Sequence, residues 1–359
     1  MKAAVLGCGG IGLATAAWLA HHGHQPVLWS PSGNGTRDLV ANGGSLRYTG
    51  IIEGTATIAV ASDIAEAVTG AQVVFIAVPG NGHRMVMEAL APHLDQGQAV
   101  IVNSSCSLSP LYLSKLLSER GVALPIITWG TTVLTARRRS GTEVAIMTAR
   151  QSLHVATLPV SANDEGIALC EELFGKRFLK QSNILATSLI NINPIAHLGL
   201  ALCNVTRIER REVWPQYHYM TEGVSNLIMA LEGERLALAN AFGLSIHGIE
   251  EHFHRSFDVP KTALAEIAET LHARRGGPPG PVTMDTRFVL EDTPFGLVFA
   301  ETLAPKVNLP VPLHTSAIHL VSAIWQRDFR SDNNLLPVLG LDRLSMDQLV
   351  DVIHNGWKG

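Results

Sequence analysis

One stretch decides the fold: Gly7-Cys8-Gly9-Gly10-Ile11-Gly12. It satisfies G-x-G-x-x-G. Residues 3–6 before it are apolar and read as a buried strand, and residues 12–22 after it carry a helical pattern. In that strand–turn–helix context each glycine has a reason. Gly7 permits the tight turn, Gly9 lets the backbone approach a pyrophosphate, and Gly12 lets the helix pack close to the sheet. The loop amides around Gly10 and Ile11 then meet an anion at a helix N-terminus, where unpaired N–H groups favour negative charge.

Outward from this loop the first half alternates strands and helices. Residues 3–6, 26–30, 57–60, 73–78 and 99–103 read as strands, several of them apolar throughout. Residues 126–128, 143–148 and 152–158 are expected to extend the same sheet. After about residue 180 the texture changes. Segments 184–208, 219–242, 246–257, 261–273, 294–307 and 313–327 carry apolar residues at helical spacing. The expected fold class is therefore an α/β Rossmann-type doubly wound domain, residues 1–182, followed by an all-α domain, residues 183–359.

The second strand's end reports which dinucleotide is bound. Residues 29–37 read Trp-Ser-Pro-Ser-Gly-Asn-Gly-Thr-Arg, without the carboxylate that usually takes the ribose 2′-hydroxyl of NAD. Ser30, Ser32 and Arg37 would accept a 2′-phosphate, so NADP(H) is expected over NAD(H). Val78-Pro79 ends a strand on the cofactor edge, where proline would wall the nicotinamide.

Composition narrows the class. The chain has 359 residues, 47% apolar and 16% charged, with a net charge of −4. This excludes a disordered chain, and no basic balance favours nucleic acid. The densest charge cluster is Arg137, Arg138 and Arg139. Four widely spaced cysteines are neither a disulfide framework nor a zinc site and fit a reducing, cytoplasmic compartment. The apolar first twenty residues mimic a signal peptide, but the glycine loop explains them better. No membrane span is expected. The low charge leaves room for an interdomain surface or a homodimer through the helical half.

Two segments of the helical half stand out. Residues 191–197 place Pro194 near a helix start and His197 one turn in. Residues 286–296 pack Arg287, Glu291 and Asp292 with two aromatics into an apolar stretch, and charges there need pairing or a function. Taken alone, His197 reads more readily as a satisfied core histidine, and Arg287 with Asp292 as an internal salt bridge.

These segments carry a resemblance to the opine dehydrogenases, which include octopine and nopaline synthases and bacterial N-(1-carboxyethyl)amino acid dehydrogenases. Residues 287–297 are similar to the family's R-[YF]-x-x-E-D-x-x-x-G-L segment. Residues 191–197 resemble its Asn-to-His segment, with one extra residue. Residues 219–223 with Glu234-Arg235, residues 309–313 and residues 339–341 also look like family segments. The resemblance implies a catalytic dyad of His197 and Asp292, Arg287 binding a substrate carboxylate, and Thr131 and Thr132 lining the keto-acid side near Arg137. It implies NAD(P)-dependent condensation of an amino acid with a 2-keto acid such as pyruvate, through an imine, to a secondary-amine dicarboxylate. The chain departs from the family with Leu198 where proline is common, and with Phe288 where tyrosine is common. Asn103 to Cys106, at a strand end, are further polar groups on the cofactor edge. His247, Glu251 and His254 read as a solvated helix face, and no metal is expected. Two alternatives remain: a ketopantoate-type 2-keto acid reductase, which would need a lysine early in the helical half, and a non-catalytic NADP(H) sensor. The nearest such lysine is Lys180.

Overall fold

Strand β1 (Lys2–Leu6) and helix α1 (Gly10–His21) flank the glycine loop as expected. The computed structural model describes residues 1–358 and divides them into two units. The remaining strands all lie in the first: β2 (Gln25–Trp29), β3 (Ser45–Gly50), β4 (Gly54–Thr57), β5 (Ala59–Val60), β6 (Val73–Ile76), β7 (Ala99–Val102), β8 (Ile126–Trp129), β9 (Leu134–Arg138), β10 (Glu143–Ala149), β11 (Leu153–Leu158) and β12 (Phe178–Lys180). Eight form one sheet in the order β12-β11-β8-β7-β6-β1-β2-β5. Only the β11–β8 pair is antiparallel. Strands β6 and β7 are buried at every position, because helices cover both faces. Besides α1, the helices of this unit's longer segment are α2 (Arg37–Ala41), α3 (Ile64–Val68), α4 (Gly80–Leu90), α5 (Ser109–Ser118), α6 (Asn163–Phe174) and α7 (Ile184–Leu189).

Residues 143–148 do not extend this sheet. They form β10 of a separate four-stranded sheet, β4-β3-β10-β9. Strand β10 runs parallel to β3, Glu143 opposite Arg47, and antiparallel to β9, Val144 opposite Arg138. Its apolar residues, with Leu46, Tyr48, Val133 and Leu134, belong to the same core as Leu13, Ala14 and Ala17 of α1. The small sheet therefore buries the flank of α1 opposite the main sheet.

The second unit, Leu189–Met346, is helical. It holds α8 (Asn193–Cys203), α9 (Val205–Glu209), α10 (Glu222–Ala241), α11 (Ile249–Phe257), α12 (Leu264–Arg275), α13 (Arg287–Leu290), α14 (Val298–Leu303), α15 (Pro312–Trp325), α16 (Phe329–Asp332) and α17 (Leu336–Leu339). A π-helical turn, Thr293–Leu297, joins α13 to α14. The long helix read over residues 184–208 is broken. Residues 190–192 are not helical and separate α7 from α8, which restarts with Pro194 in its first turn, where the missing N–H has no intrahelical partner to lose. Residues 184–203 are apolar enough to cross a membrane by composition, but 72% of that window is buried within the fold.

A single junction after residue 182 is not what the chain adopts. The first unit runs on to Ser188, and the segment from Asp347 returns to it. This segment carries α18 (Met346–Asn355), which buries Leu349, Val352 and Ile353. The Trp357 amide then donates to Ser114 Oγ of α5 at 3.0 Å.

Candidate active site

The first set of site residues gathers at the carboxyl edge of neighbouring strands β6, β1 and β2. Gly7 has φ of +123°, and a Cβ there would lie 2.4 Å from the Ala77 carbonyl oxygen. A Cβ on Gly12 would lie 1.9 Å from the Gly7 carbonyl oxygen, so α1 can start this close to β1 only with glycine. Above Gly9, by contrast, nothing lies within 4 Å of a Cβ position. That open face beside the amides of Gly10 and Ile11 fits a pyrophosphate.

Ser30 is buried after β2, close enough that a Cβ on Gly35 would meet its Oγ at 2.6 Å. Ser32 is exposed, and the exposed Arg37 donates to Asn34 Oδ1. Val78 and Pro79 follow β6, and Pro79 immediately precedes α4. His83 of α4 holds this turn: its Nε2 lies 3.2 Å from the Val78 carbonyl oxygen and its Nδ1 2.9 Å from Ser109 Oγ. A carbonyl only accepts, so Nε2 carries the proton and Nδ1 accepts from the hydroxyl. Burial holds this imidazole neutral, its pKa pushed down to about 4. Burial also pushes the Cys8 thiol up to about 12, against the charge of Arg138. Thr131 and Thr132 are half-buried just past β8, and the Thr132 carbonyl accepts from Arg150 Nε at 2.8 Å.

The second set lies in the helical unit. His197 is in the second turn of α8, and its Nδ1 donates to Asp292 Oδ2 at 2.7 Å. Their side chains are 15% and 8% exposed, so the contact is shielded without being sealed. The Thr286 hydroxyl caps α13, and the six residues that follow place three groups. Arg287 projects outward, 60% exposed, with only a loose 3.8 Å contact to Glu291. Phe288 lies flat on the His197 imidazole, ring centroids 3.7 Å apart and 7° from parallel. Asp292 immediately precedes the π-helical turn, a departure from α geometry common at functional sites. Gly296 in this turn meets Pro194 at the start of α8, where a Cβ would lie 2.3 Å from Pro194 Cγ. Asn333, fully buried, donates to the Pro294 carbonyl at 2.7 Å and so holds the turn from the other side.

This arrangement can do acid–base chemistry. With its Nδ1 proton on Asp292, the neutral imidazole presents a lone pair at Nε2, and the carboxylate steadies the imidazolium formed when Nε2 takes a proton. Arg287 offers a planar fork to a carboxylate. A second histidine–carboxylate pair has a different role. Glu234 accepts from His314 Nδ1 at 2.7 Å but also from the amides of Leu313 and His314, which caps α15. Its neighbour Arg235 is buried on Glu232 and on the His247 carbonyl. Glu234 and Arg235 are thus framework. Glu251 is paired with Lys261 and Arg255, and no group of three potential ligands able to hold a metal occurs among the described residues.

Sequence reasoning grouped His197, Asp292 and Arg287, which the helical unit brings to one place. It marked Phe288 only as a departure from the tyrosine common in the family and missed its stack on His197. It gave no role to Arg138, the arginine that reaches the glycine loop, where its Nη1 donates to the Cys8 carbonyl at 3.0 Å. The triple-arginine cluster was the signal available for it.

A Rossmann-type unit joined to a helical unit with a shielded His–Asp pair defines an NAD(P)-dependent oxidoreductase. Residues 2–110 match the family described as NAD-dependent glycerol-3-phosphate dehydrogenase N-terminus, and residues 180–325 match NAD/NADP octopine/nopaline dehydrogenase, alpha-helical domain. The chain is 31% identical over 350 residues to an opine dehydrogenase of Arthrobacter sp. (strain 1C), covering 95% of this chain and 96% of that one. It therefore belongs to the opine dehydrogenase family, oxidoreductases acting on CH–NH donors. Its fold is similar to octopine dehydrogenase in complex with NADH and agmatine, TM-score 0.82 at 14% identity, covering 99% of this chain and 98% of that one. It is also similar to NADP+-bound yersinopine dehydrogenase, TM-score 0.73 at 18% identity, covering 97% and 93%. These matches favour neither the simple reductase nor the sensor.

Proposed function

We propose that the chain joins the amine of an L-amino acid to the carbonyl of a 2-keto acid such as pyruvate. It then reduces the imine with NADPH to a secondary-amine dicarboxylate, consuming a proton and releasing water. The 2.7 Å contact between His197 Nδ1 and Asp292 Oδ2 carries this reading. His197 Nε2 takes the proton that the ammonium must lose before attack, and returns one to the hydroxyl that leaves as water. Asp292 fixes the tautomer for both transfers. Arg287 grips a substrate carboxylate and orients it, helped by Thr131 and Thr132 on the keto-acid side. When bound, the dinucleotide would supply the hydride; Gly7, Gly9, Gly10, Ile11 and Gly12 would hold its pyrophosphate, and Val78 and Pro79 would wall its nicotinamide.

Ser30, Ser32 and Arg37, without a carboxylate among them, support NADPH over NADH. Replacing Ser32 and Arg37 together should weaken NADPH and spare NADH; equal weakening argues against this preference. The four cysteines, none of them in a disulfide, support a cytoplasmic setting, and the weakly acidic chain gives no support to nucleic-acid or membrane partners. A homodimer through the helical unit is part of the same reading. The experiment that tests the function is NADPH oxidation across a grid of amino acids against pyruvate, oxaloacetate, 2-oxoglutarate and glyoxylate. Oxidation that needs both partners supports it. Oxidation with a keto acid alone, indifferent to amine, would turn the assignment toward a simple reductase.

A further inference from the structure

We infer that Arg138 is a phosphate ligand of the dinucleotide, a cation delivered to the glycine loop by a strand outside the main sheet. Strand β9 runs past the first turn of α1. A Cβ on Gly10 would lie 3.1 Å from the Ala136 carbonyl oxygen and 3.2 Å from the Arg138 amide nitrogen. Gly10 is thus glycine because β9 lies against it, and this proximity brings Arg138 beside the loop.

The side chain then turns onto the loop itself. Arg138 Nη1 donates to the Cys8 carbonyl at 3.0 Å and Nε to the Ser140 carbonyl at 3.0 Å. Both partners are neutral. They orient the guanidinium plane and leave its charge and remaining donors uncommitted. None of the ion pairs among the described residues includes Arg138. The charged groups packed nearby do not neutralise it. Asp38 of α2 sits against the next turn, where a Cβ on Gly141 would meet its Oδ2, and the buried Cys8 thiol stays protonated. The first turn of α1 holds no acidic side chain either.

An oriented, unneutralised guanidinium beside a helix N-terminus suits an oxyanion. Cys8 separates two places where the cofactor presents one. On one side are the amides of Gly9, Gly10 and Ile11. On the other is the 30–37 loop, with a Cβ on Gly35 only 3.0 Å from Cys8 Cβ. The phosphate is therefore the pyrophosphate or the ribose 2′-phosphate. The inference rests on the glycine loop being the dinucleotide site, as proposed above.

The test is fluorescence titration of wild type, R138Q and R138K with NADPH and with NADH, at low and high salt. Glutamine keeps an N–H donor for the Cys8 carbonyl, so the loop retains its partner while the charge is lost. R138Q is expected to raise Kd about tenfold, with R138K intermediate and the loss shrinking at high salt. Loss for both cofactors assigns the pyrophosphate, and loss for NADPH alone the 2′-phosphate. Unchanged affinity for both overturns the inference. So does a salt-independent loss, shared by R138K, that comes with a lower melting temperature of the cofactor-free protein, since that marks a structural strut. Should R138Q not fold, R138K alone decides: weaker, salt-sensitive binding at an unchanged melting temperature supports the inference, and wild-type affinity at both salt concentrations overturns it. A wild type that binds neither dinucleotide refutes the glycine-loop assignment, an outcome separate from these.

Discussion

The phenyl ring of Phe288 lies face to face with the imidazole of His197, 3.7 Å between centroids and 7° from parallel. The in-plane hydrogen bond to Asp292 fixes one edge of the imidazole, and the stack fixes its plane. Together they leave Nε2 with a single direction. Phe288→Leu keeps an apolar side chain but loses the flat support. It is expected to lower kcat about three- to tenfold with KM nearly unchanged, because a misplaced proton acceptor costs rate rather than binding. Phe288→Tyr should retain most of the rate. Steady-state kinetics of the two variants decide, and a KM change without a kcat change would assign the ring to substrate instead.

The dyad has a sharper expectation. His197→Ala should lower kcat by about two to four orders of magnitude, the usual contribution of general acid–base catalysis. Asp292→Asn should also be costly, because its amide need not receive the Nδ1 proton and so no longer selects the tautomer. Both variants should bind NADPH as tightly as wild type, since both residues lie outside the glycine-loop unit. Calorimetric titration checks the binding. Full activity in either variant removes the dyad from the reaction.

The close approach of Gly296 to Pro194 couples the two dyad-bearing segments. Gly296→Ala places a methyl 2.3 Å from Pro194 Cγ and 2.4 Å from its Cβ. Overpacking of this kind costs about 1–3 kcal/mol and should displace Asp292 from His197. Pro194→Gly in the same chain removes both clashing atoms. The double variant is therefore expected to recover stability and rate relative to Gly296→Ala, a coupling that a double-mutant cycle measures. Additive losses would show that the two residues do not act on one another.

His83 makes folding sensitive to acid. Its pKa lies near 4 when folded and near 6.5 when unfolded, so the unfolded chain takes up the proton first. The neutral ring's contribution is complete above pH 6.5 and disappears as pH falls toward 4, amounting to about 3 kcal/mol. His247, pushed down to about 4 by burial, adds a loss of the same sign. The informative quantity is therefore a difference. Between pH 7 and pH 4.5, wild type should lose more resistance to urea than His83→Gln does. Parallel losses would mean that His83 is solvated in the folded chain.

The glycine loop was legible because each of its constraints is local: a turn, a backbone approach and a helix start within six residues. The small sheet was not. Arg47 pairs with Glu143 across almost a hundred residues, and no local pattern in either strand names its partner. Pro194 did mark the start of α8, but the apolar periodicity of residues 184–208 ran straight across it and suggested one helix. His197 and Asp292, 95 positions apart, were joined only by their family segments. The stack of Phe288 depends on how α13 packs against α8, which a single residue type cannot reveal. Arg138 was hidden by its neighbours, since Arg137 and Arg138 alternate in direction along β9, Arg139 follows its end, and Arg138 is the one that reaches the loop.

The return of residues after Asp347 to the first unit makes the helical unit an internal cassette. Exchanging it with a relative's, to transplant substrate choice while keeping cofactor choice, needs two junctions, near Ser188 and Met346, rather than one. A chimera built with a single crossover near residue 188 would carry a foreign α18 and a foreign Trp357 segment against the native first unit, and the mismatch would fall on the nucleotide-binding half. Trimming the carboxyl terminus would injure that same half, by removing Trp357 from Ser114, although in sequence it borders only the helical one.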